Sequence, residues 1–201
     1  MPLWAIVPVK PLRRGKSRLS PVLTEAERTS LNQNLLSNTL LTLKAVNRID
    51  AIMVVSRDPQ ALTLAREYGA RTVLENGNPD LNTALKRATL VAKTYLANEI
   101  LIIPADLPLL TEQEVISFLN HSGNPPEIII SPDRRQDGTN MLYINPAGLI
   151  PFNYGIGSFA KHIAEAERSG ARVEIVESPS LGLDLDLPED LELLRILQEQ
   201  K

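Results

Sequence analysis

The sequence predicts an α/β protein with one Rossmann-like domain: a mostly parallel central sheet, helices on both of its faces, and a small antiparallel excursion in the second half. Short and almost wholly apolar runs, such as residues 100–103, are typical of strands covered on both faces. These runs alternate with helical patterns that follow capping residues, as in a doubly wound sheet. The 201 residues contain no internal repeat, low-complexity tract or linker, so residues 1–201 are expected to form a single domain.

The first half of the chain supplies most of the parallel strands and their helices. Thr24 and Glu27 form a capping-box pattern ahead of an apolar stripe, which predicts a long helix. Capping, proline and glycine signals delimit the other helices. Strands are predicted at residues 3–9, 51–56, 71–74 and 99–103. Helices are predicted at residues 24–46, 58–69, 81–96 and 111–120.

The second half is less regular. Two strands, at 127–131 and 140–144, are separated by the turn-rich segment PDRRQDGT and are expected to form the antiparallel excursion. The glycine-bearing loop NYGIGS then leads into a helix from Ser158 to Ser169. A strand at 172–176 follows, and the segment LGLDLDLPEDLELL ends in a final helix.

Composition and charge exclude several classes of protein. Apolar residues make up 43% and charged residues 22%, as in ordinary globular chains. The net charge of −3 argues against general nucleic-acid binding. The absence of cysteine excludes disulfides, thiolate metal sites and a cysteine nucleophile. No apolar run approaches the roughly 20 residues that span a bilayer, and the first segment is interpreted as a buried strand, not a signal peptide. A cytoplasmic protein without membrane or nucleic-acid partners is expected.

A cluster of cations follows the first strand, in the stretch IVPVKPLRRGKSR. A phosphate-binding P-loop would need glycine at position 10, where this chain has Lys10, so that pattern is not met. The loop still combines flexible glycine with positive charge where open sheets bind ligands, which predicts a nucleoside triphosphate site; a solvated charged loop is the alternative. The predicted nucleotide-binding residues here are Lys10, Gly15, Lys16, Ser17 and Arg18.

Three carboxylates are candidate ligands for a hard cation such as magnesium. Asp106 follows a buried strand between two prolines, and its alternative role is turn or helix capping. In GLDLDLP, alternation places Asp184 and Asp186 on one face of an extended segment, where their repulsion favours a nearby cation. Asp184 is preferred as the ligand, because Asp186 could instead cap the last helix.

Two further groups of polar residues could bind substrate. The loop and helix start that contain Asn78, Asp80 and Asn82 could read the edge of a base. Glycines ahead of a helix expose backbone N–H groups, so Gly155 and Ser158, with the hydroxyl of Thr139, could bind phosphate or carboxylate; turn and capping roles are equally open. His121 and His162 are interpreted as surface or helix-face residues, and no serine has an evident triad partner.

Six motifs in order resemble a known family. They are VPVKPLRRGKSRL, GNPDLNTAL, IPADLPLL, DGTNML, YGIGSF and DLDLPEDL, and they cover nearly the whole chain. Together they resemble the 2-phospho-L-lactate and phosphoenolpyruvate guanylyltransferases of deazaflavin coenzyme biosynthesis. The resemblance implies a nucleotidyltransferase fold related to the molybdenum-cofactor guanylyltransferases.

The resemblance also implies the reaction. GTP would be the donor, a phosphorylated three-carbon acid the acceptor, and magnesium the bridging cation, with pyrophosphate released. Carried onto this chain, the GKSR loop would hold the triphosphate and Asp106 with Asp184 the metal, while Thr139, Gly155 and Ser158 would bind the acceptor. The catalytic residues expected are Lys16, Arg18 and Asp106.

Alternative functions remain open at the level of sequence. The same fold could transfer a cytidylyl group to a sugar phosphate or a guanylyl group to the molybdenum cofactor. A non-catalytic nucleotide-binding protein is the alternative from another class. The sequence is also compatible with a homodimer.

Overall fold

A seven-stranded sheet forms the centre of the molecule. The computed structural model describes residues 1–78 and 80–199. In the sheet the strand order is β3-β2-β1-β4-β6-β5-β7, and β6 is antiparallel to both of its neighbours while the other described pairs are parallel. The predicted α/β class and its antiparallel excursion are therefore confirmed. The strands are β1 (Leu3–Val9), β2 (Ala51–Ser56), β3 (Arg71–Leu74), β4 (Glu99–Ile102), β5 (Glu127–Pro132), β6 (Thr139–Asn145) and β7 (Arg172–Ile175).

Three helices begin at Thr24, Asp58 and Thr111, the capping residues that the sequence predicts, whereas the N-cap of the helix that starts at Ser158 is Gly157 and not Ser158 itself. Thr24 and Glu27 form a complete capping box, and Asp58 accepts a hydrogen bond from the backbone N–H of Gln60. The helices are α1 (Glu25–Ala45), α2 (Pro59–Glu67), α3 (Leu81–Thr94), α4 (Glu112–Leu119), α5 (Ser158–Arg168), α6 (Pro179–Gly182) and α7 (Pro188–Glu199). The sequence did not indicate the short helix α6 or the 3-10 turn at Ser17–Leu19. None of the described helices is long and apolar enough to cross a membrane.

The two faces of the sheet carry separate apolar cores. Leu36 and Phe118, from α1 and α4, pack with β-strand residues on one face. Leu85 and Ala166, from α3 and α5, pack on the other. The side chains of β1 alternate between these cores, so its near-continuous apolar run is that of a strand covered on both sides.

The strand order defines one particular edge of the sheet. The chain proceeds from β1 outward to β2 and β3, then returns to place β4 on the other side of β1, so the carboxyl ends of β1 and β4 flank the switch point where open α/β sheets bind ligands. The pairing of Ile102 with Leu142 in the antiparallel β4–β6 ladder puts Thr139 beyond the carboxyl end of β4. The loops after β1 and β4 and the start of β6 therefore meet at the same edge.

Candidate active site

The cationic loop after β1 is held in place by two polar side chains. The backbone N–H of Leu12 donates to Asp58 Oδ2 at 2.7 Å, and Asn32 Nδ2 donates to the carbonyl of Leu12 at 2.7 Å. A Cβ atom at Gly15 would lie 2.7 Å from Asn32 Nδ2, so the close approach of Asn32 accounts for glycine at this position. The hydrogen bonds of Asp58 and Asn32 to Leu12 therefore fix the position of the base of the loop.

Lys16 connects the loop to two carboxylates that are distant in sequence. Its side chain is 7% exposed, and its Nζ lies 2.7 Å from Asp106 Oδ2 and 3.2 Å from Asp186 Oδ1. The residue itself adopts a left-handed conformation with φ of 58°. Asp106 comes from the loop after β4, and Asp186 from the segment before α7. The structure thus brings together three of the residues that the sequence singles out.

The charges in this cluster shift the pKa values of its members. Burial alone would lower the pKa of Lys16, but the charges of Asp106 and Asp186 outweigh burial and raise it. Burial likewise would raise the pKa of Asp186, but Lys16, together with the charges of Lys10 and Arg18, outweighs burial and lowers it. At Asp184, burial and the charges of Asp106 and Asp186 raise the pKa to about 6. Lys16 therefore stays charged, while the negative charge around Asp184 is incompletely compensated.

Local backbone contacts explain how the acidic segment faces the loop. Leu183 and Leu185 are buried in the core, so the alternating aspartates are directed away from it, as the sequence predicts. The N–H of Leu185 donates to the carbonyl of Asp106 at 3.1 Å, which ties this segment to the loop after β4. The Asp190 carboxylate accepts from the backbone N–H of Asp186 at 3.0 Å and so fixes the backbone there. The side-chain carboxylate of Asp186 bonds separately to Lys16.

The carboxylates suit a hard cation in their chemistry. Within residues 1–78 and 80–199, no three His, Cys, Asp or Glu side chains are grouped so that they could hold a metal ion by themselves. Instead, the Lys16 ammonium stands as a cation between Asp106 and Asp186. Magnesium takes only one or two protein carboxylates and completes its ligands with phosphate oxygens and water, so the donor set fits it in company with a nucleotide.

The other cations of the loop lie toward solvent. The Arg18 side chain is 69% exposed, with Nη1 4.0 Å from Asp186 Oδ2. Lys10 and Ser17 are exposed as well, and Arg13 pairs with Glu25 at the surface. Such exposed, flexible cations remain available to an anionic ligand that approaches the sheet edge.

The candidate base-reading residues have different local roles. Asn78 is exposed, whereas Asp80 caps α3 by accepting from the N–H of Thr83 at 2.9 Å. The amide of Asn82 binds the backbone of Tyr154 twice: Oδ1 accepts from its N–H at 2.8 Å and Nδ2 donates to its carbonyl at 3.2 Å. Asn82 therefore joins the start of α3 to the loop before α5, and its role toward a base stays a prediction.

The candidate acceptor residues meet at the start of α5. The Ser158 hydroxyl donates to Thr139 Oγ1 at 3.2 Å, and Thr139 Oγ1 is 3.0 Å from His162 Nδ1. Gly155 and Gly157 have positive φ values of 125° and 68°, which glycine adopts readily. The chain before α5 can therefore turn tightly beside these hydroxyls.

Sequence patterns did not reveal the importance of His162. Of the two predicted placements, on the surface or on a helix face, the structure supports the helix: His162 lies on α5, but its side chain is 0% exposed, and burial with the nearby charge of Lys161 lowers its pKa to about 4. The available signal was spacing: Ser158, His162 and Ala166 recur every four residues and are the buried residues of α5.

The architecture and the site together define the class of protein. A nucleotidyl transferase from Methanothermobacter thermautotroptrophicus has the same fold, with a TM-score of 0.68 and 15% identity over 98% of this chain and 98% of that chain. The chain is thus an α/β protein of the nucleotidyltransferase fold whose switch point is lined by cations and carboxylates.

The sequence comparison identifies the family. The chain belongs to the guanylyl transferase CofC-like family, whose model matches residues 3–201. It is 40% identical to the phosphoenolpyruvate guanylyltransferase of Rubrobacter xylanophilus over 191 residues, which are 95% of this chain and 92% of the relative. It is 38% identical to the 2-phospho-L-lactate guanylyltransferase of Methanocaldococcus infernus over 186 residues, 92% and 81% of the two chains. The resemblance drawn from the six motifs is confirmed.

Proposed function

We propose that this protein transfers GMP from GTP to the phosphate of phosphoenolpyruvate or 2-phospho-L-lactate and releases pyrophosphate, as a step of deazaflavin coenzyme biosynthesis. Membership in the guanylyl transferase family supports the reaction type. The observation that carries the proposal on this chain is the 2.7 Å contact between Lys16 and Asp106, which joins the cationic loop after β1 to the carboxylate after β4.

The reaction needs positioning and charge neutralisation. An oxygen of the acceptor phosphate forms a bond to the α-phosphorus of GTP, and the bond from that phosphorus to the oxygen bridging the β-phosphorus breaks. Pyrophosphate leaves with the bridging oxygen. The acceptor phosphate has a second pKa of about 6, so at neutral pH it attacks as an anion and no general base is required.

The cations of the first loop act on the donor. Lys16 and Arg18 would contact the triphosphate and offset the charge that develops on pyrophosphate, with Lys10, Gly15 and Ser17 completing the binding loop. Asp106 and Asp184 would hold magnesium, with Asp186 as the second candidate, and the ion would supply positive charge at the phosphates.

The remaining polar residues would bind the base and the acceptor. The guanine would lie against the loop that contains Asn78, Asp80 and Asn82, while Thr139, Gly155 and Ser158 would receive the acceptor's carboxylate and phosphate oxygens. All of the residues proposed for the site belong to one chain, so a homodimer is compatible with the proposal without being needed for it.

A competition assay tests the proposal. The purified protein is incubated with magnesium, GTP and equal amounts of the two acids, and pyrophosphate and product masses are measured. We expect pyrophosphate together with one guanylylated acid in excess. Pyrophosphate only with CTP and a sugar phosphate would support the cytidylyl alternative, and nucleotide binding without any turnover would support the non-catalytic one.

A further inference from the structure

A buried imidazole lies directly behind the proposed acceptor site. His162 is one helical turn after Ser158 on α5, and it is fully enclosed. Its Nδ1 is 3.0 Å from Thr139 Oγ1, and its Nε2 is 3.0 Å from the backbone N of Asn153. Tyr154 packs against the ring with centroids 4.8 Å apart. One side chain therefore contacts both the start of β6 and the loop that leads to α5.

The hydrogen bonds fix which nitrogen of His162 carries the proton. A backbone N–H can only donate, so Nε2 accepts from Asn153 and carries no proton itself. A neutral imidazole then has its proton on Nδ1, and that N–H donates to Thr139 Oγ1. The tautomer thus follows from the contact with Asn153.

Counting the donors and acceptors around Thr139 also fixes the direction of its hydroxyl. Thr139 Oγ1 accepts from His162 and, at 3.2 Å, from the Ser158 hydroxyl. A hydroxyl oxygen has two acceptor sites and one proton, so with both acceptor sites filled its own proton is left to donate. For any further hydrogen bond, Thr139 Oγ1 can therefore serve only as a donor.

The loop beside this network is held from its other side. Asn82 binds both the N–H and the carbonyl of Tyr154, at 2.8 Å and 3.2 Å. His162 holds the preceding residue, Asn153, so adjacent peptide groups have fixed partners on α3 and α5. The position of the chain ahead of Gly155 is therefore coupled to the orientation of Thr139 through a single ring.

We propose that His162 is a positioning residue for the acceptor: through its Nδ1–H it locks Thr139 as a hydrogen-bond donor to an anionic oxygen of the substrate acid. This inference rests on the proposed function, because it takes the sheet edge at Thr139 as the acceptor site. His162 itself touches neither substrate nor reacting atoms.

Two variants separate the two ends of the ring. In His162→Asn the amide nitrogen can replace Nδ1 as the donor to Thr139, and in His162→Gln the amide oxygen can replace Nε2 as the acceptor for Asn153. Binding of each acid is measured by calorimetry with magnesium and a GTP analogue that has a methylene bridge between the α- and β-phosphorus atoms. We expect H162Q to weaken binding of the acid about tenfold, the loss of roughly one hydrogen bond, and H162N to stay within about threefold. Affinity for the analogue should be unchanged in both.

Equal weakening in both variants, or none in H162Q, would overturn the inference. If the wild-type protein binds an acid but releases no pyrophosphate with GTP, the proposed function fails, and the comparison of variants still decides the role of His162. If it binds neither acid, both fail.

A measurement on the wild-type protein does not depend on the folding of variants. With ¹⁵N-labelled histidine, the ring nitrogens of His162 should report the neutral Nδ1–H form at pH 7 and shift when the acid is added to saturation. An Nε2–H form, or resonances that saturating acid leaves unchanged, would overturn the inference.

Discussion

His162 links the stability of the folded chain to pH. Burial, reinforced by the charge of Lys161, lowers the pKa of its imidazole from 6.5 to about 4. In the unfolded chain the same group binds a proton near pH 6.5, so acid favours the unfolded state. Because the pKa of His162 is lower in the folded state than in the unfolded state, its contribution to the free energy of unfolding is complete above pH 6.5. That contribution is lost as the pH falls toward 4.

The size of the effect follows from the shift. A change of 2.5 pKa units corresponds to roughly 3 kcal/mol in total, of which about 1.4 kcal/mol is lost by pH 5.5 and about 2.5 kcal/mol by pH 4.5. Urea unfolding of the wild-type protein and of H162N, followed by circular dichroism between pH 7.5 and 4.5, measures it. Between pH 7.5 and 4.5 the wild type should lose about 2.5 kcal/mol more of its free energy of unfolding than H162N does.

The matched variant removes other titrations from the comparison. Asp184 acts in the opposite direction, because its raised pKa of about 6 makes the folded state bind protons first, but it is present in both proteins. A stability difference that does not vary with pH would refute the lowered pKa, because it would show that folding leaves the pKa of His162 unshifted. A difference that grows in favour of the wild type in acid would show a protonated, paired ring and would refute the hydrogen-bond count around Thr139, because Nε2 of such a ring could not accept from Asn153.

Three further predictions concern the charged loop and its carboxylates. Asp106→Asn should reduce turnover by about 100-fold or more while the chain still folds, since the Leu185 N–H binds the backbone carbonyl of Asp106 and Asp186 still pairs with Lys16; loss of folding or retained activity would contradict the assigned role. Lys16→Met should raise the pKa of Asp186, because Lys16 is the largest of the three cations that lower it, and carbon NMR titration of the carboxylates measures this; an unchanged pKa would deny the ion pair. Gly15→Ala should destabilise the chain by about 1–2 kcal/mol in urea unfolding, because the new Cβ displaces Asn32 from its hydrogen bond; an unaltered midpoint would show that the loop can adjust.

Local signals determined most of the secondary structure. The capping box at Thr24, the Asp58–Pro59 start of α2 and the apolar strands lie close to their predicted bounds because each depends on neighbouring residues. The alternation in GLDLDLP succeeded for the same reason, since Leu183 and Leu185 are buried. The placement of β6 between β4 and β5 is set by long-range pairing, which local patterns do not encode.

The site was only partly accessible to sequence reasoning. Residue types and strand ends singled out Lys16, Asp106 and Asp186, which the structure brings together, but did not show which of them bond. The amide of Asn82 meets Tyr154 across 72 positions, and the buried network of Thr139, Ser158 and His162 spans up to 23. Such contacts depend on how α3 and α5 pack on the sheet, so they follow from tertiary structure alone.

The conformation of Lys16 ties the proposed chemistry to the fold. A left-handed backbone is unfavourable for a lysine, and at 58° it persists here because the ammonium pairs with Asp106 and Asp186, 90 and 170 positions away. Phosphate oxygens of a triphosphate are chemically equivalent partners for the same ammonium. In the proposed reaction the phosphate oxygens would replace the two carboxylates beside Lys16. The released carboxylates would then be free to bind a cation that also binds the phosphates. In this proposal, the ion pair that shapes the loop is also the interaction that the nucleotide would replace.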